Sequence, residues 1–292
     1  MKKKVCLLGV YYGSAGKIEG ADKGAETIVN AFKADTRLSY GGYIRSTLPE
    51  GRFRGLKNLR QVMDVAVKSR ELCRHSLDNG DIPFVIGGDH SSVMGNISAA
   101  CAKWGPEAFG VLYLDAHCDI NTPETSPSGN LHGMSLAALM GLGDEAMCSV
   151  AEPHIIPANV LFTGVRSIDP GEAEIIRRYG IPTIPASRIR VEGVPRTLER
   201  IAGFIREKGI KHLHLSVDLD VLDPSLVPGT GVPEKDGLFE NEFFSILRFV
   251  SGLDILSSLD LVEYIPSLDR DGFTQNICGK VMETALESLI SL

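Results

Sequence analysis

Basic charge is in short supply in this sequence of 292 residues, which carries 30 lysines and arginines against 37 acidic residues. The formal net charge of −7 leaves no broad basic surface of the kind that binds nucleic acids by counterion release. Long apolar runs are also absent, since the longest near the start, Val5–Val10, is far shorter than the ~20 residues that cross a bilayer. We therefore expect neither a nucleic-acid partner nor a membrane span.

Cysteine pairs and familiar catalytic signatures are missing as well. The six cysteines are scattered, with no Cys-x-x-Cys, in a chain long enough to build its own apolar core, which is typical of a reducing cytoplasm. The sequence contains no Gly-x-x-x-x-Gly-Lys-Ser/Thr and no Gly-x-Gly-x-x-Gly at a strand-to-helix turn, so nucleotide binding has no support. A Gly-x-Ser-x-Gly nucleophile turn is absent too.

Alternating strand and helix patterns predict the fold. Continuous apolar runs that end in Gly or Asp predict buried strands at 5–10, 83–86, 110–114, 160–165, 212–217 and 259–262. Helical stretches lie between them at 59–77, 134–140, 171–179, 195–208 and 241–251. This order indicates βαβ units and an α/β fold, a three-layer αβα sandwich with a mostly parallel sheet. Because no repeat or linker interrupts the chain, we expect a single domain over residues 1–292.

Three predicted strand ends carry unusual concentrations of metal-ligating side chains. They are 87–91 (Gly-Gly-Asp-His-Ser), 115–121 (Asp-Ala-His-Cys-Asp-Ile-Asn) and 216–224 (Ser-Val-Asp-Leu-Asp-Val-Leu-Asp-Pro). Because residues two apart in an extended chain point the same way, we expect Asp115, His117 and Asp119 to project together. Asp218 and Asp220 are expected to do the same. One such segment alone is more often a turn or cap, but three together predict a metal site.

The charge of this cluster predicts two cations. Carboxylates gathered beside an apolar sheet repel one another and lose hydration unless cations balance them. The four aspartates carry four negative charges and neutral histidine ligands carry none, so two divalent ions neutralise the cluster. Oxygen-rich ligation without a thiolate favours Mn²⁺ over structural Zn²⁺. The expected ligands are His90, Asp115, His117, Asp119, Asp218 and Asp220. Asp89 and Asp223 are assigned to local turns and stay outside this set.

The three segments, in this order, resemble the ureohydrolase family of arginases and agmatinases, over nearly the whole chain from Gly20 to the region of Glu263. The resemblance implies a parallel sheet of about eight strands between two helical layers. It also implies two Mn²⁺ ions per subunit, held by the six ligands named above at the carboxyl edge of the sheet. A small guanidino substrate and a homo-oligomer, a trimer or hexamer, are further implications.

The loop after the second ligand segment resembles that of arginases rather than agmatinases. Residues 121–132 read Asn-Thr-Pro-Glu-Thr-Ser-Pro-Ser-Gly-Asn-Leu-His. The resemblance implies hydrolysis of L-arginine to L-ornithine and urea by a hydroxide that bridges the metals. It assigns the α-carboxylate to Asn121, Ser126, Ser128 and Asn130, and the α-ammonium to Asp169 and Glu172. Neutral donors suit a carboxylate and paired acids suit an ammonium, although composition alone reads 169–172 as a helix start.

Three residues receive catalytic roles. By the same resemblance, His132 transfers protons between the site and solvent, and Glu263 orients the guanidinium. Asp119, close to the expected hydroxide, would accept its proton and pass it to the leaving amine. These roles follow from the pattern as a whole, because a histidine before a glycine or an acid at a strand end is an ordinary surface feature when it stands alone.

The sequence departs from the arginase pattern in two places: at Ser167, where an acidic residue is common in arginases, and in a second segment that leaves alternatives open. Residues 229–237 read Gly-Thr-Gly-Val-Pro-Glu-Lys-Asp-Gly, where arginases usually have Thr-Pro-Val-Val-Gly-Gly after the second glycine. Val232 removes a hydroxyl, and a buried donor left unpaired by that change would cost roughly 1–3 kcal/mol of substrate binding. The alternatives are therefore hydrolysis of another guanidino compound, such as agmatine or a guanidino acid, and a metal- or arginine-binding protein without turnover.

Overall fold

The computed structural model describes residues 4–290. Its strands are β1 Val5–Val10, β2 Leu38–Ile44, β3 Arg52–Phe53, β4 Leu56–Lys57, β5 Ile82–Gly87, β6 Phe109–Leu114, β7 Val160–Thr163, β8 Thr183–Ile184, β9 His212–Asp218 and β10 Leu256–Val262. Its helices are α1 Ala21–Phe32, α2 Leu59–Asp78, α3 Met94–Trp104, α4 Ser135–Leu139, α5 Glu145–Cys148, α6 Pro170–Tyr179, α7 Ala186–Glu207, α8 Glu240–Ser251 and α9 Phe273–Ile290. Within the described residues, none of these helices is long and apolar enough to cross a membrane.

Eight strands form one sheet in the order β2-β1-β5-β10-β9-β6-β7-β8, and every pairing in it is parallel. Strands β3 and β4 make a separate antiparallel hairpin. Strands β5, β10, β9 and β6 are neighbours in the middle of the sheet although they are distant in sequence. Because parallel strands end at the same edge, the segments that follow these four strands meet there.

Helices cover both faces of the sheet. On one face, α1, α7, α8 and α9 pack against side chains such as Leu7 and Phe84. On the other face, α2, α3 and α4 pack against side chains such as Leu8, Val85 and Tyr113. Successive residues of β1 thus enter opposite cores, which explains why its sequence is apolar at every position. The predicted three-layer α/β fold with a parallel sheet of eight strands is confirmed.

The elements that the sequence patterns did not predict have physical reasons for being missed. Strand β2 lies at the edge of the sheet and reads Leu-Ser-Tyr-Gly-Gly-Tyr-Ile, so it has no continuous apolar run. Helix α3 is buried along its first eight residues and therefore lacks a polar face. The predicted helix at 195–208 is the second part of α7, whose helical geometry is interrupted at Gly193 with φ 79°.

Candidate active site

The first group of predicted ligands surrounds His90, which begins a short 3₁₀ turn after β5. Its Nδ1 atom lies 3.0 Å from Oδ2 of Asp115 and 3.0 Å from Oδ2 of Asp119. The same nitrogen lies 3.1 Å from Oδ2 of Asp218, the last residue of β9. All four side chains are buried. Three strand ends thus contribute donors to one point at the carboxyl edge of the sheet.

The second group surrounds His117. Its Nδ1 atom lies 3.1 Å from Oδ2 of Asp220 and 3.4 Å from Oδ1 of Asp115. Asp115 therefore faces both histidines, one with each carboxylate oxygen. Two sets of three ligand atoms, each set within 4.8 Å, share this residue: His90 with Asp115 and Asp218, and Asp115 with His117 and Asp220. The structure brings all six predicted ligands together.

Turns orient these side chains. The explanation from the sequence, that residues two apart in an extended chain point the same way, was wrong. Strand β6 ends at Leu114, the residues after it bend, and Asp119 has a positive φ of 54°. Asp115 Oδ1 accepts a hydrogen bond from the backbone N–H of His117 at 2.6 Å. After β9 the chain forms a 3₁₀ turn over 219–221. Side-chain-capped turns of this kind are common at functional strand ends and are hard to infer from spacing.

The donors at this cluster suit a divalent cation. His90 Nδ1 and Asp115 Oδ2 are buried and have no well-aligned hydrogen-bond partner among the described residues. Burial raises the pKa of Asp115 to about 6, and the nearby Asp220 and Asp119 carboxylates add to this effect. Burial disfavours the charged form of His90, but its carboxylate neighbours hold its pKa well above the ordinary value. Carboxylate oxygens bind hard divalent ions and imidazole nitrogens bind first-row transition metals, so the cluster is a candidate metal centre.

Asp89 and Asp223 make local contacts, as predicted. Asp89 Oδ1 accepts a hydrogen bond from the backbone N–H of Ser91 at 3.1 Å and so caps the turn that carries His90. Asp223 Oδ1 accepts from the backbone N–H of Ser225 at 3.1 Å. Neither aspartate belongs to the two sets of ligand atoms.

Tyr113 is a site residue that the sequence reasoning missed. Its ring stacks on the His90 imidazole with centroids 4.5 Å apart, and its hydroxyl donates to Asp119 Oδ2 at 2.9 Å. The available signal was a tyrosine inside the apolar strand β6, two residues before the ligand segment. Tyr113 therefore fixes the ring plane of one ligand and the carboxylate of another.

A buried polar chain behind His90 was also missed. The Nε2 atom of His90 lies 3.0 Å from the Ser216 hydroxyl, which donates to Asp260 Oδ1 at 2.7 Å. The other carboxylate oxygen of Asp260 lies 2.8 Å from His214 Nε2. Because these side chains are fully buried between strands β9 and β10, they hold the outer nitrogen of His90 in one orientation. Polar residues inside apolar strands were the signal.

Arg166 was missed as well. Its guanidinium donates to six backbone carbonyl oxygens, those of Gly164, Asp220, Val221, Leu222, Glu234 and Lys235. The shortest of these bonds, 2.6 Å, runs to the carbonyl of Asp220. Arg166 thus joins the turn that carries a predicted ligand to the loop at 234–235. Nothing in the sequence marks contacts to backbone atoms.

Glu263 and His132 lie beside the candidate metal centre as a pair. Glu263 Oε1 accepts from the backbone N–H of His90 at 2.8 Å and lies 3.1 Å from His132 Nδ1. Glu263 also has a positive φ of 69°, an uncommon backbone conformation that is concentrated at functional sites. Burial disfavours the charged form of His132, but pairing with Glu263 raises the pKa of His132 to about 9. His132 therefore holds a proton at neutral pH.

A cavity of about 280 Å³ connects the cluster with the predicted substrate residues. Its wall includes the ligands His117, Asp119, Asp218 and Asp220 together with His132. All seven predicted substrate-binding residues line it: Asn121, Ser126, Ser128, Asn130, Asp169, Glu172 and Glu263. Of the six predicted ligands, His90 and Asp115 lie behind this wall. The cavity is therefore polar, and it has ligand groups at one part of its wall and neutral donors at another.

The loop at 126–130 presents free hydroxyl donors. The Ser126 oxygen accepts from the backbone N–H of Gly129 at 3.0 Å, and the Ser128 oxygen accepts from the backbone N–H of Asn130 at 3.2 Å. Each hydroxyl hydrogen is then available to a ligand in the cavity. The Asn121 amide donates to Asp169 Oδ2 at 2.8 Å, which ties the loop to the start of α6.

Residues 169–172 fit both interpretations given above, the start of a helix and a part of the substrate site. The Oε2 atom of Glu172 accepts from the backbone N–H of Asp169 at 3.0 Å and caps α6, as composition alone predicts. Its Oε1 atom accepts from the backbone N–H of Ile120 at 3.2 Å. Burial raises the pKa of Glu172 to about 7. The capped helix start therefore forms part of the cavity wall.

The departing segment also reaches the cavity. Val232 and Glu234 both line it. Glu234 Oε1 lies 3.8 Å from Nε2 of His117, so this chain has a carboxylate beside the outer nitrogen of a predicted ligand. Glu234 therefore places a negative charge beside His117 that the valine usual in arginases would not provide.

A parallel-sheet αβα sandwich, with paired carboxylate and imidazole clusters opening into a polar cavity at the carboxyl edge, is the architecture of a metal-dependent hydrolase. The sequence model of the Arginase family matches residues 3–287, and the chain belongs to that family, so it is a ureohydrolase. This confirms the resemblance that the ligand segments and the substrate loop indicated. It also removes the alternative of a binding protein without turnover.

Relatives and solved structures agree with this assignment. An arginase of Brevibacillus brevis is 34% identical over 295 residues, which cover 97% of this chain and 98% of that protein. The solved arginase of Bacillus caldovelox has a TM-score of 0.88 at 32% identity and is covered over 99% of each chain. The arginase of Entamoeba histolytica, solved in complex with L-ornithine, has a TM-score of 0.88 at 29% identity over 100% of each chain.

Proposed function

We propose that this ureohydrolase cleaves L-arginine to L-ornithine and urea. The observation that carries the proposal is the single cavity, in which the carboxylates of the cluster and the hydroxyls of Ser126 and Ser128 share one wall. Such a cavity can hold a guanidinium near the cluster and an amino-acid carboxylate at the serine loop. The relatives described above are named arginases, which supports this substrate.

We infer that this site would hold two Mn²⁺ ions, since Asp115 belongs to both sets of donor atoms. The proposed ligands are the six residues His90, Asp115, His117, Asp119, Asp218 and Asp220. Two such ions supply Lewis acidity and an ionised water at neutral pH, which a guanidinium needs for hydrolysis. The two sets of donors on either side of Asp115 support a pair of ions, and their oxygen-rich character supports manganese.

The residues of the chain then bind the substrate and move its protons. Glu263, which faces the cavity, orients the guanidinium by charge-assisted hydrogen bonds. Asp119 accepts the proton released by the attacking water and passes it to the leaving amine. His132, charged through its pairing with Glu263, exchanges protons with solvent. The far end of the substrate is fixed through its carboxylate by Asn121, Ser126, Ser128 and Asn130 and through its ammonium by Asp169 and Glu172.

The remaining expectations concern the whole protein. We propose one catalytic domain over residues 1–292 and a homo-oligomer, a trimer or hexamer as the family resemblance implies. We also propose a cytoplasmic location. All six cysteines are free and five of them are buried, which supports a reducing compartment.

Urea release from matched substrates tests the proposed substrate. The Mn²⁺-loaded protein is expected to release urea from L-arginine with a kcat/KM at least about tenfold above the values for agmatine and 4-guanidinobutyrate. Agmatine lacks the α-carboxylate, and 4-guanidinobutyrate lacks the α-ammonium and is one methylene shorter. Colorimetric urea assays measure all three. An Asp119→Ala variant, expected to lose activity and bound metal, is the negative control. Release from agmatine or 4-guanidinobutyrate with none from arginine would support the alternative amidinohydrolase, which Val232 and Glu234 favour.

Metal binding is expected to release protons and to weaken as the pH falls. In the metal-free site, burial and the neighbouring aspartates raise the pKa of Asp115 to about 6, and carboxylates hold the pKa of His117 above its ordinary value. Ligation requires the deprotonated groups, so Mn²⁺ must displace these protons. Titration calorimetry in two buffers of different ionisation enthalpy measures the number released. Equal heats in both buffers, with an affinity that stays flat from about pH 6 to 8, would contradict the expectation.

A further inference from the structure

Lys17 lines the same cavity as the ligand cluster and the serine loop, and the mechanism above gives it no role. Seven of the residues that line this cavity are acidic, whereas Lys17 is the one lysine or arginine among the described lining residues. Its side chain is exposed, and no carboxylate in the described part of the chain lies within ion-pairing distance of it. A lysine without a carboxylate partner at an acidic cavity is free to bind an anion.

The backbone before Lys17 is held in place by buried residues. Asn58, which is 1% exposed, donates from its amide to the carbonyl of Ser14 at 3.0 Å. The backbone N–H of Ala15 donates to Oδ2 of Asp89 at 2.8 Å, and Asp89 is 2% exposed. Buried polar groups that bond to a loop backbone fix its course. The backbone therefore holds Lys17 at a fixed position beside the cavity.

The same segment touches the proposed proton-transfer residue. The carbonyl of Ala15 accepts from the backbone N–H of His132 at 3.5 Å. A Cβ atom at Gly16 would lie 3.5 Å from Cε1 of the His132 ring, so the chain passes directly beside the imidazole. The loop that carries Lys17 thus forms a wall of the reaction site and not a separate surface.

We propose that Lys17 is a specificity-determining residue that binds the carboxylate of the amino-acid substrate. The inference rests on the proposed arginine hydrolysis and deepens it. The serine hydroxyls and the Asn121 amide can orient a carboxylate, but they carry no charge to offset the acidic wall. Two divalent ions would neutralise the four aspartates of the ligand set, of which only three line the cavity. The other four lining carboxylates, those of Asp169, Glu172, Glu234 and Glu263, would stay without a metal charge. An ammonium among the lining groups reduces the repulsion that a substrate carboxylate meets in the cavity.

The segment 229–237, which departs from the arginase pattern, increases the need for the positive charge of Lys17. Glu234 lines the cavity where arginases usually have valine, and this adds one carboxylate to the wall. A substrate with a guanidinium and an ammonium but no carboxylate would be favoured by that change. Lys17 acts in the opposite direction, so it allows the chain to retain a preference for an amino acid despite Glu234.

Kinetics with Lys17→Met test the proposal on substrates that differ in the carboxylate. For L-arginine, KM is expected to rise about tenfold while kcat changes less than about twofold, because one charge-assisted contact to the far end of the substrate is lost. For agmatine and L-argininamide, which lack the carboxylate charge, KM is expected to stay constant or fall. Lys17→Arg should retain most of the wild-type preference. Lys23→Met removes the same charge from an exposed side chain of α1 that does not line the cavity, and is the matched control.

Binding without turnover separates this inference from the proposed function. L-ornithine, which has the carboxylate, is expected to bind Lys17→Met about tenfold more weakly than wild type in calorimetry, whereas putrescine should bind both proteins equally. Unchanged ornithine binding, or an equal loss for ornithine and putrescine, would overturn the role of Lys17. Absence of urea from arginine with the wild-type protein would overturn the proposed function instead, and the comparison of ornithine with putrescine would still decide on Lys17.

Discussion

An Asp115→Asn variant is expected to lose metal-dependent urea release while its metal-free form remains at least as stable as the wild-type protein. Asp115 faces His90 with one carboxylate oxygen and His117 with the other, so it belongs to both sets of ligand atoms. Its replacement removes an anionic ligand from both metal positions at once. The loss of activity should exceed the roughly 100-fold that removal of an outer hydrogen-bond partner of a ligand costs.

The stability of the metal-free variant follows from the charges around Asp115. Burial, Asp220 and Asp119 raise the pKa of Asp115 to about 6, so above that pH the folded metal-free protein must ionise an unfavourable carboxyl. The unfolded chain ionises it near the ordinary value, and stability therefore falls as the pH rises between those two values. Asparagine removes this penalty at neutral pH and keeps an oxygen that can accept from the His117 N–H, a bond of 2.6 Å in the wild type.

Thermal denaturation with and without Mn²⁺ measures both effects. The wild-type Tm is expected to rise on addition of Mn²⁺ by mass action, whereas the Tm of Asp115→Asn should be insensitive to the metal. Asp223→Asn is the matched control, because Asp223 lies near the cluster but bonds to Ser225 and Gly237 outside the ligand set. A Tm for metal-free Asp115→Asn several degrees below wild type would show that the carboxylate stabilises the metal-free fold and would contradict the expected stability.

The predicted ligands could be identified from the sequence, because their residue types and their positions at strand ends indicate metal binding. His90 and Asp115 follow buried strands and Asp218 ends one, and parallel strands must end at one edge, so their convergence could be predicted without coordinates. The resemblance of residues 121–132 to arginases added the substrate loop, whose members line the cavity. Both inferences depend only on short segments of sequence, and the parallel sheet brings such segments to the same edge.

The supporting contacts could not be predicted in the same way. Tyr113 of β6 stacks on His90, which follows β5, although β10 and β9 lie between these two strands in the sheet. Ser216 contacts the outer nitrogen of the same ring from the interior of the sheet. Such contacts depend on strand order and register, which apolar runs do not encode. The turns that aim Asp119 and Asp220 depend on backbone angles that residue spacing does not reveal.

Arg166→Met is expected to lower the free energy of unfolding by about 3–5 kcal/mol, because it leaves several partly buried carbonyl oxygens without their charged donor. Six such bonds end on the segments 220–222 and 234–235 and on Gly164. Without them the turn that carries Asp220 and the loop that carries Glu234 are no longer held together. Mn²⁺ affinity and kcat/KM are therefore expected to fall by roughly 100-fold, as for loss of a contact that orients a metal ligand.

Two further variants test whether the geometry of the guanidinium causes the losses expected for Arg166→Met. Arg166→Lys retains the positive charge but offers three donors at one point, which cannot reach carbonyl groups on several sides, so little rescue is expected. Arg190→Met is the control, because Arg190 lies in α7 and donates to one carbonyl of the same loop, that of Gly237, at 3.0 Å. Urea denaturation, metal titration and steady-state kinetics measure the three variants. If Arg166→Lys matched wild type in all three measurements, positive charge alone would suffice and the contacts to the carbonyl groups would not organise the site.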